Sequence, residues 1–170
     1  MARLIADSSA LVSLGTAATA DLDPLEFCLE TYDVVVRTDV VAELEEIASY
    51  DDAHGRAATA VLARAETFST RTVDLDAEFP LDDGENAAVT LANDLEAELF
   101  LCDEFTHLGL IHASLADTRL VTTPTLLSAF VRTGKLSPTD ARDLLDEISA
   151  ARSWNSNTYV QRARALLEDA

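Results

Sequence analysis

Short apolar runs alternate along this chain with stretches whose apolar residues recur every three or four positions. Leu4-Ile5-Ala6, Asp33-Val34-Val35-Val36, Leu99 to Cys102 and Leu120-Val121-Thr122 are such runs; Thr67 to Leu75, less apolar, reads as a further strand centred on Arg71 to Val73. Their length and flanking polar residues predict buried strands. A helix should follow Asp7, capped by Ser8 or Ser9 and ending near Gly15. Pro24 opens a second, Leu25 to Thr31. A third runs from about Asp39 to Ala48, with Val40, Val41, Leu44 and Ile47 as its apolar stripe, until Asp51-Asp52 breaks it. Ala57 to Ala65 reads as a fourth. Pro80 and Asp82-Asp83-Gly84 read as a turn before the helical spacing of Ala88, Leu91, Ala92 and Leu95. A short helical piece precedes the fifth strand. Helices then follow from Pro124 to Arg132, from Pro138 to about Ala151 behind Ser137, and from Asn155 to Glu168. Strands alternating with helices predict an α/β fold, a central parallel sheet of about five strands flanked by helices. Without a linker or repeat, residues 1–170 read as a single domain whose C-terminal helices occupy about 124–170.

Composition adds three constraints. Hydrophobic residues make up 48% of the chain and aromatics only 6%, so the core must be built from Ala, Leu and Val, and disorder is rejected. No apolar run spans a bilayer and no signal-peptide pattern is present, so no membrane partner is expected. Cys28 and Cys102 are isolated and share no metal-ligand spacing, which suits a reducing cytoplasm.

The formal charge is −19, from 31 acids against 12 bases, and the only lysine is Lys135. Abundant Asp, Glu and Ala with few aromatics resemble the proteins of extreme halophiles, and such a source is the expectation; mimicry or repulsion of nucleic acid is the other account. Residues 132–170 balance six bases with six acids, so the first 131 residues carry the whole excess. Mixed charges on C-terminal helices explain that balance more simply than a partner surface does.

Four acids stand where separate stretches turn back toward one edge of such a sheet: Asp7, Glu43, Glu85 and Asp103. Acids just past buried parallel strands point into the crevice at the strands' carboxyl ends. Each has a plain account alone. Asp7 is a good helix cap, Glu43 a solvated helix acid, Glu85 a first-turn acid favoured by the macrodipole, and Asp103 a turn former. Together they repel one another unless a divalent cation sits among them, and hard oxygen ligands suit Mg²⁺ or Mn²⁺. Asp82 and Asp83 remain alternatives to Glu85 as the third acid. His107 and His112 are five apart, off the spacing for two ligands on one helical face.

These stretches, in order, resemble the PIN-domain nucleases. LIADSSALVSLG looks like their opening, VVVRTDVVAELEEI their second motif, LDDGENAAVTLAND the Gly-Glu-led third, LFLCDEF the fourth, and LVTTPTLLSAFVRTGKLS the stretch after it. The likeness covers residues 3 to about 170. It departs at Arg37, where a Pro is common, at Glu104, where the fourth motif has a second Asp, and at Phe105-Thr106-His107, where basic residues are usual. The resemblance implies a metal-dependent endoribonuclease with Asp7, Glu43, Glu85 and Asp103 as ligands and catalytic acids. Ser8 and Thr122 would contact the phosphate or a carboxylate. RNA is the implied substrate, and a small antitoxin protein and a second copy of the chain the implied partners. The alternative is a PIN-like binding module with weak or no activity. A phosphotransferase using Asp7 as nucleophile would want a second Asp two residues on, where Ser9 stands.

If salt adaptation explains the −19 charge, screening should relieve self-repulsion, since the Debye length falls to ~3 Å at ~1 M salt. Thermal melts from about 0.1 M to about 3 M KCl should then show a rising Tm. A flat or falling Tm would contradict the halophile account.

Overall fold

Side chains of β1 (Arg3–Ala6) alternate between two faces, and both faces are buried. Leu4 and Ala6 enter one apolar cluster with Val34, Val36, Leu101 and Val121. Ile5 enters the other with Val35 and Phe100. A strand buried on both sides belongs in a parallel sheet covered by helices. The protein, a computed structural model describing residues 1–18, 21–75 and 80–169, has that sheet. Its strands are β1, β2 (Asp33–Arg37), β3 (Ser69–Arg71), β4 (Leu99–Leu101) and β5 (Arg119–Val121). All pairings are parallel, in the order β3-β2-β1-β4-β5.

The helices divide between the faces. The larger cluster is closed by α1 (Ser8–Thr16), α2 (Pro24–Thr31), α3 (Thr38–Ala48), α4 (Ala53–Leu62), α7 (Thr123–Arg132), α8 (Pro138–Arg152) and α9 (Thr158–Glu168). The smaller is closed by α5 (Asp83–Asp94) and α6 (Leu108–Ser114). Phe100, Phe130, Leu4, Ile5, Leu11 and Leu14 are among the largest fully buried side chains, each worth roughly 1.5–3 kcal/mol in removed apolar surface. Among the described residues, no helix is long and apolar enough to cross a membrane. The C-terminal pair is tied by mixed charge: Arg164 pairs with Asp146, and Arg142 donates to the Leu167 carbonyl at 3.4 Å.

Several boundaries differ from those read in the sequence, each for a local reason. Helix α4 begins four residues before Ala57 because Asp52 caps it, accepting from the Gly55 N–H at 2.8 Å. Asp83-Gly84 belongs to the first turn of α5, not to a preceding turn, because Asp82 caps that helix through the Glu85 N–H. Strand β3 lies earlier than Arg71 to Val73, since Val35 pairs with Ser69, while Val73 packs on the smaller cluster. Neither Ser8 nor Ser9 caps α1; both lie inside it. Helix α9 starts at Thr158, capped by Asn157 rather than opening at Asn155. Residue 170, the expected end of the C-terminal helices, lies outside the described residues.

Gly15 lets α1 lie directly on α4: a Cβ there would stand 2.6 Å from the Ala57 carbonyl oxygen. Gly15→Ala should therefore cost about 1–3 kcal/mol through overpacking, even though alanine gains about 1 kcal/mol in helix propensity. Urea denaturation measures the sign. A stabilised variant would mean that the two helices do not approach so closely.

Candidate active site at the carboxyl edge of the sheet

Strands β1 and β4 are parallel neighbours, so the residues following them emerge side by side. The Asp7 N–H donates to the Leu101 carbonyl at 3.0 Å, extending the ladder by one rung. Asp7 stands at the N-cap position of α1, yet its carboxylate makes no cap hydrogen bond. Instead Oδ2 accepts from Ser9 Oγ at 2.9 Å, and Ser9 Oγ accepts from the Asp103 N–H at 3.1 Å. One hydroxyl thus holds the Asp7 carboxylate and the β4 exit together. Cys102 lies beneath, its Sγ 3.8 Å from Asp7 Oδ2. Burial, then the Asp7 charge, pushes this thiol well above its ordinary pKa.

A cavity of about 230 Å³ opens over this edge. Asp7, Glu43, Asp82, Glu85 and Glu104 all line it, with Ser8, Ser9, Gly84 and Arg37. Glu43 arrives on α3, Glu85 on the first turn of α5, and Asp82 as the α5 cap. Asp83 lines a neighbouring cavity instead. Arg37, the last residue of β2, is buried between the acids, with Nη2 3.7 Å from Asp7 Oδ1 and 3.9 Å from Glu43 Oε1. Beyond the cavity rim, His107 Nδ1 sits 2.9 Å from Glu85 Oε1. That hydrogen bond, with the Glu85 charge, raises the imidazole pKa. Donor atoms of Asp82, Glu85 and His107 lie within 4.8 Å of one another, the spacing of a shared cation.

Across this fold, a family model described as a PIN domain matches residues 3–169. The chain belongs to the PIN-domain family. PIN domains are generally nucleases, so the sheet edge just described belongs to a nuclease fold. A comparison with curated proteins finds no match.

The sequence-predicted residues of this PIN domain are not all in one place. Asp7, Glu43 and Glu85 line one cavity, and Ser8 lines it too. The Asp103 carboxylate does not. It is turned into the protein, where Oδ1 accepts from the Thr123 N–H at 2.7 Å and Oδ2 from Thr123 Oγ1 at 2.6 Å. The start of α7 offers two donors below the sheet edge, and they draw Asp103 inward while Glu104 takes the cavity-facing position. Thr122 caps α7 and lines a separate groove, and the hydroxyls that contact the Asp7 and Asp103 carboxylates are those of Ser9 and Thr123. Asp82, held open in the sequence as an alternative to Glu85, lines the cavity beside it, while sequence reasoning passed over Glu104, His107 and Arg37 as site residues. Glu104 had a signal, adjacency to Asp103. Arg37 and His107 had none, because their partners lie on other elements.

In chemistry the lining suits a divalent ion: five carboxylates border one cavity, all hard oxygen donors of the kind Mg²⁺ and Mn²⁺ take. Among the described residues, the group of three whose donor atoms already lie close enough to share an ion is Asp82, Glu85 and His107.

Asp103 itself is testable apart from any ion. Burial raises its pKa, while hydrogen bonds from Thr123 and Ser13 and the Arg152 charge oppose the rise. A carboxyl raised in the fold favours folding in acid, and that contribution is lost as pH climbs from the ordinary carboxyl range through the raised one. Asp103→Asn should flatten this dependence and leave neutral-pH stability unchanged or higher, since the amide oxygen can still accept from Thr123. Thr123→Val should cost about 1–3 kcal/mol by stranding a buried acceptor. Denaturation at acid and neutral pH reads both; the reverse order of effects would show that Asp103 is not held this way.

Proposed function

We propose that this PIN domain is a divalent-metal-dependent endoribonuclease. The observation that carries the reading is the convergence of Asp7, Glu43, Glu85, Asp82 and Glu104 on one cavity at the carboxyl edge of the parallel sheet. Clustered carboxylates are costly without a cation, and a nuclease fold gives that cation a use. Asp7, Glu43 and Glu85 supply the ion's oxygen ligands, with Glu104 and Asp82 beside them. Bound there, Mg²⁺ or Mn²⁺ would lower the pKa of a water and offset charge on the phosphodiester.

The protein groups have distinct tasks. Ser9 fixes the Asp7 carboxylate through Oδ2 and leaves Oδ1 on the side of Arg37. Ser8 lines the cavity and can donate to a phosphate oxygen. Asp103, held by Thr123, anchors the loop that presents Glu104 and acts as a positioning residue. His107 holds Glu85 in place through its hydrogen bond.

RNA as substrate, a toxin role with a neutralising antitoxin protein, and a homodimer follow from the family resemblance. A cytoplasmic setting is supported by two free, buried cysteines. A halophilic source is supported by the charge of −19, and a single domain by a family match spanning residues 3–169. The second reading, a binding module without turnover, has one observation in its favour, the withdrawal of Asp103 from the cavity.

Cleavage of a single-stranded RNA oligonucleotide in molar KCl decides between them. The parent should cleave with Mn²⁺ and not with EDTA. Asp7→Asn and Glu43→Gln should each lose about 100-fold or more, since even outer-shell changes at metal sites cost about 10–100-fold. No Mn²⁺-dependent cleavage by the parent would favour the binding module.

A further inference from the structure

Arg37 is the only cation among the described residues lining the acid cavity. Its backbone ends β2, next to β1, so the sheet itself delivers it to the edge that carries Asp7. Its side chain is only 4% exposed. Burying a guanidinium is expensive unless acids surround it. Asp7 and Glu43 stand at 3.7 and 3.9 Å, and Asp39 at 3.8 Å on the rim. Those separations give Coulombic attraction but exceed hydrogen-bond length. Nε is buried with no hydrogen-bond partner. The side chain also lines the adjoining cavity of about 480 Å³, where Glu43 and Gly84 recur. A permanently charged fork therefore stands between two cavities, held by charge and with hydrogen-bonding capacity unspent.

Two-ion phosphodiester sites use a pair of cations about 3.5–4 Å apart to clamp the reacting group. We propose that Arg37 is a built-in second cation: the crevice takes one divalent ion, and the Arg37 fork binds the non-bridging oxygens of the phosphodiester. This rests on the metal-dependent nuclease reading and deepens it. Guanidinium suits the task because it is always charged, weakly hydrated and matches phosphate in a bidentate way. It also explains how Asp7 and Glu43 lie close together before any ion arrives.

Calorimetric titration of the full chain with Mn²⁺ alone should find one site. Arg37→Gln removes a positive charge beside that site, so Mn²⁺ should bind about tenfold tighter or more. At saturating Mn²⁺ the same variant should cleave a single-stranded RNA oligonucleotide about 100-fold more slowly. Arg37→Lys keeps the charge and covers the case of a Gln variant that does not fold. It should bind Mn²⁺ as the parent does but cleave more slowly, lacking the planar fork. Two Mn²⁺ sites in the parent, parent-like Mn²⁺ affinity in folded Arg37→Gln, or undiminished cleavage by Arg37→Lys would each overturn the proposal while leaving the nuclease reading intact. A parent that neither binds Mn²⁺ nor cleaves would overturn the nuclease reading, and this inference with it.

Discussion

Repulsion among carboxylates gathered at one sheet edge is the constraint around which this protein is arranged. A parallel sheet with helical crossovers makes such an edge unavoidable, because every strand ends on the same side. The same side is also where the following helices begin. Asp7 sits at the N-cap of α1, Asp82 and Glu85 at the start of α5, and Asp103 against the first residue of α7. Each carboxylate therefore meets the positive end of a helix dipole, worth roughly 0.3–1 kcal/mol apiece. Those contributions soften the repulsion without removing it. Local devices do more: the Ser9 hydroxyl, the Arg37 guanidinium, the His107 imidazole and the paired donors of Thr123.

Those devices sort the acids into two kinds. Asp103 is satisfied, enclosed and bonded through both oxygens. Asp7, Glu43, Asp82, Glu85 and Glu104 face a shared cavity and keep acceptor capacity toward it. A buried acid with two donors needs no ion, whereas cavity-facing acids keep oxygen acceptors of the kind a cation takes. The distinction explains how adjacent residues, Asp103 and Glu104, come to play different parts.

The sheet and most helices were legible because their signals are local. Branched apolar runs announce strands, and helical spacing with Pro24, Pro124 and Pro138 announces helix starts. What failed was also local, but subtler. A cap read as a turn, at Asp82, moved a helix boundary, and so did the unrecognised cap at Asp52. At the site, Asp7 could be read because it follows a strand, Glu85 because it lies in the first turn of a helix, and Glu43 from the motif that VVVRTDVVAELEEI resembles. The inward turn of Asp103 could not, because Thr123 is twenty residues away in sequence and joins it only through the β4–β5 pairing. The place of Arg37 was equally hidden: in sequence it is a basic residue interrupting a motif, and only β1–β2 pairing shows which acids it meets.

The central claim is that the cavity-facing acids form one divalent-cation site. Crystals grown with Mn²⁺ and measured near its absorption edge test it directly. The account predicts a single strong anomalous peak in the cavity, with carboxylate oxygens of Asp7 and at least one of Glu43, Glu85 and Glu104 within roughly 2–2.6 Å of it. A cavity without a peak at saturating Mn²⁺, or peaks confined to exposed acids elsewhere, would contradict it.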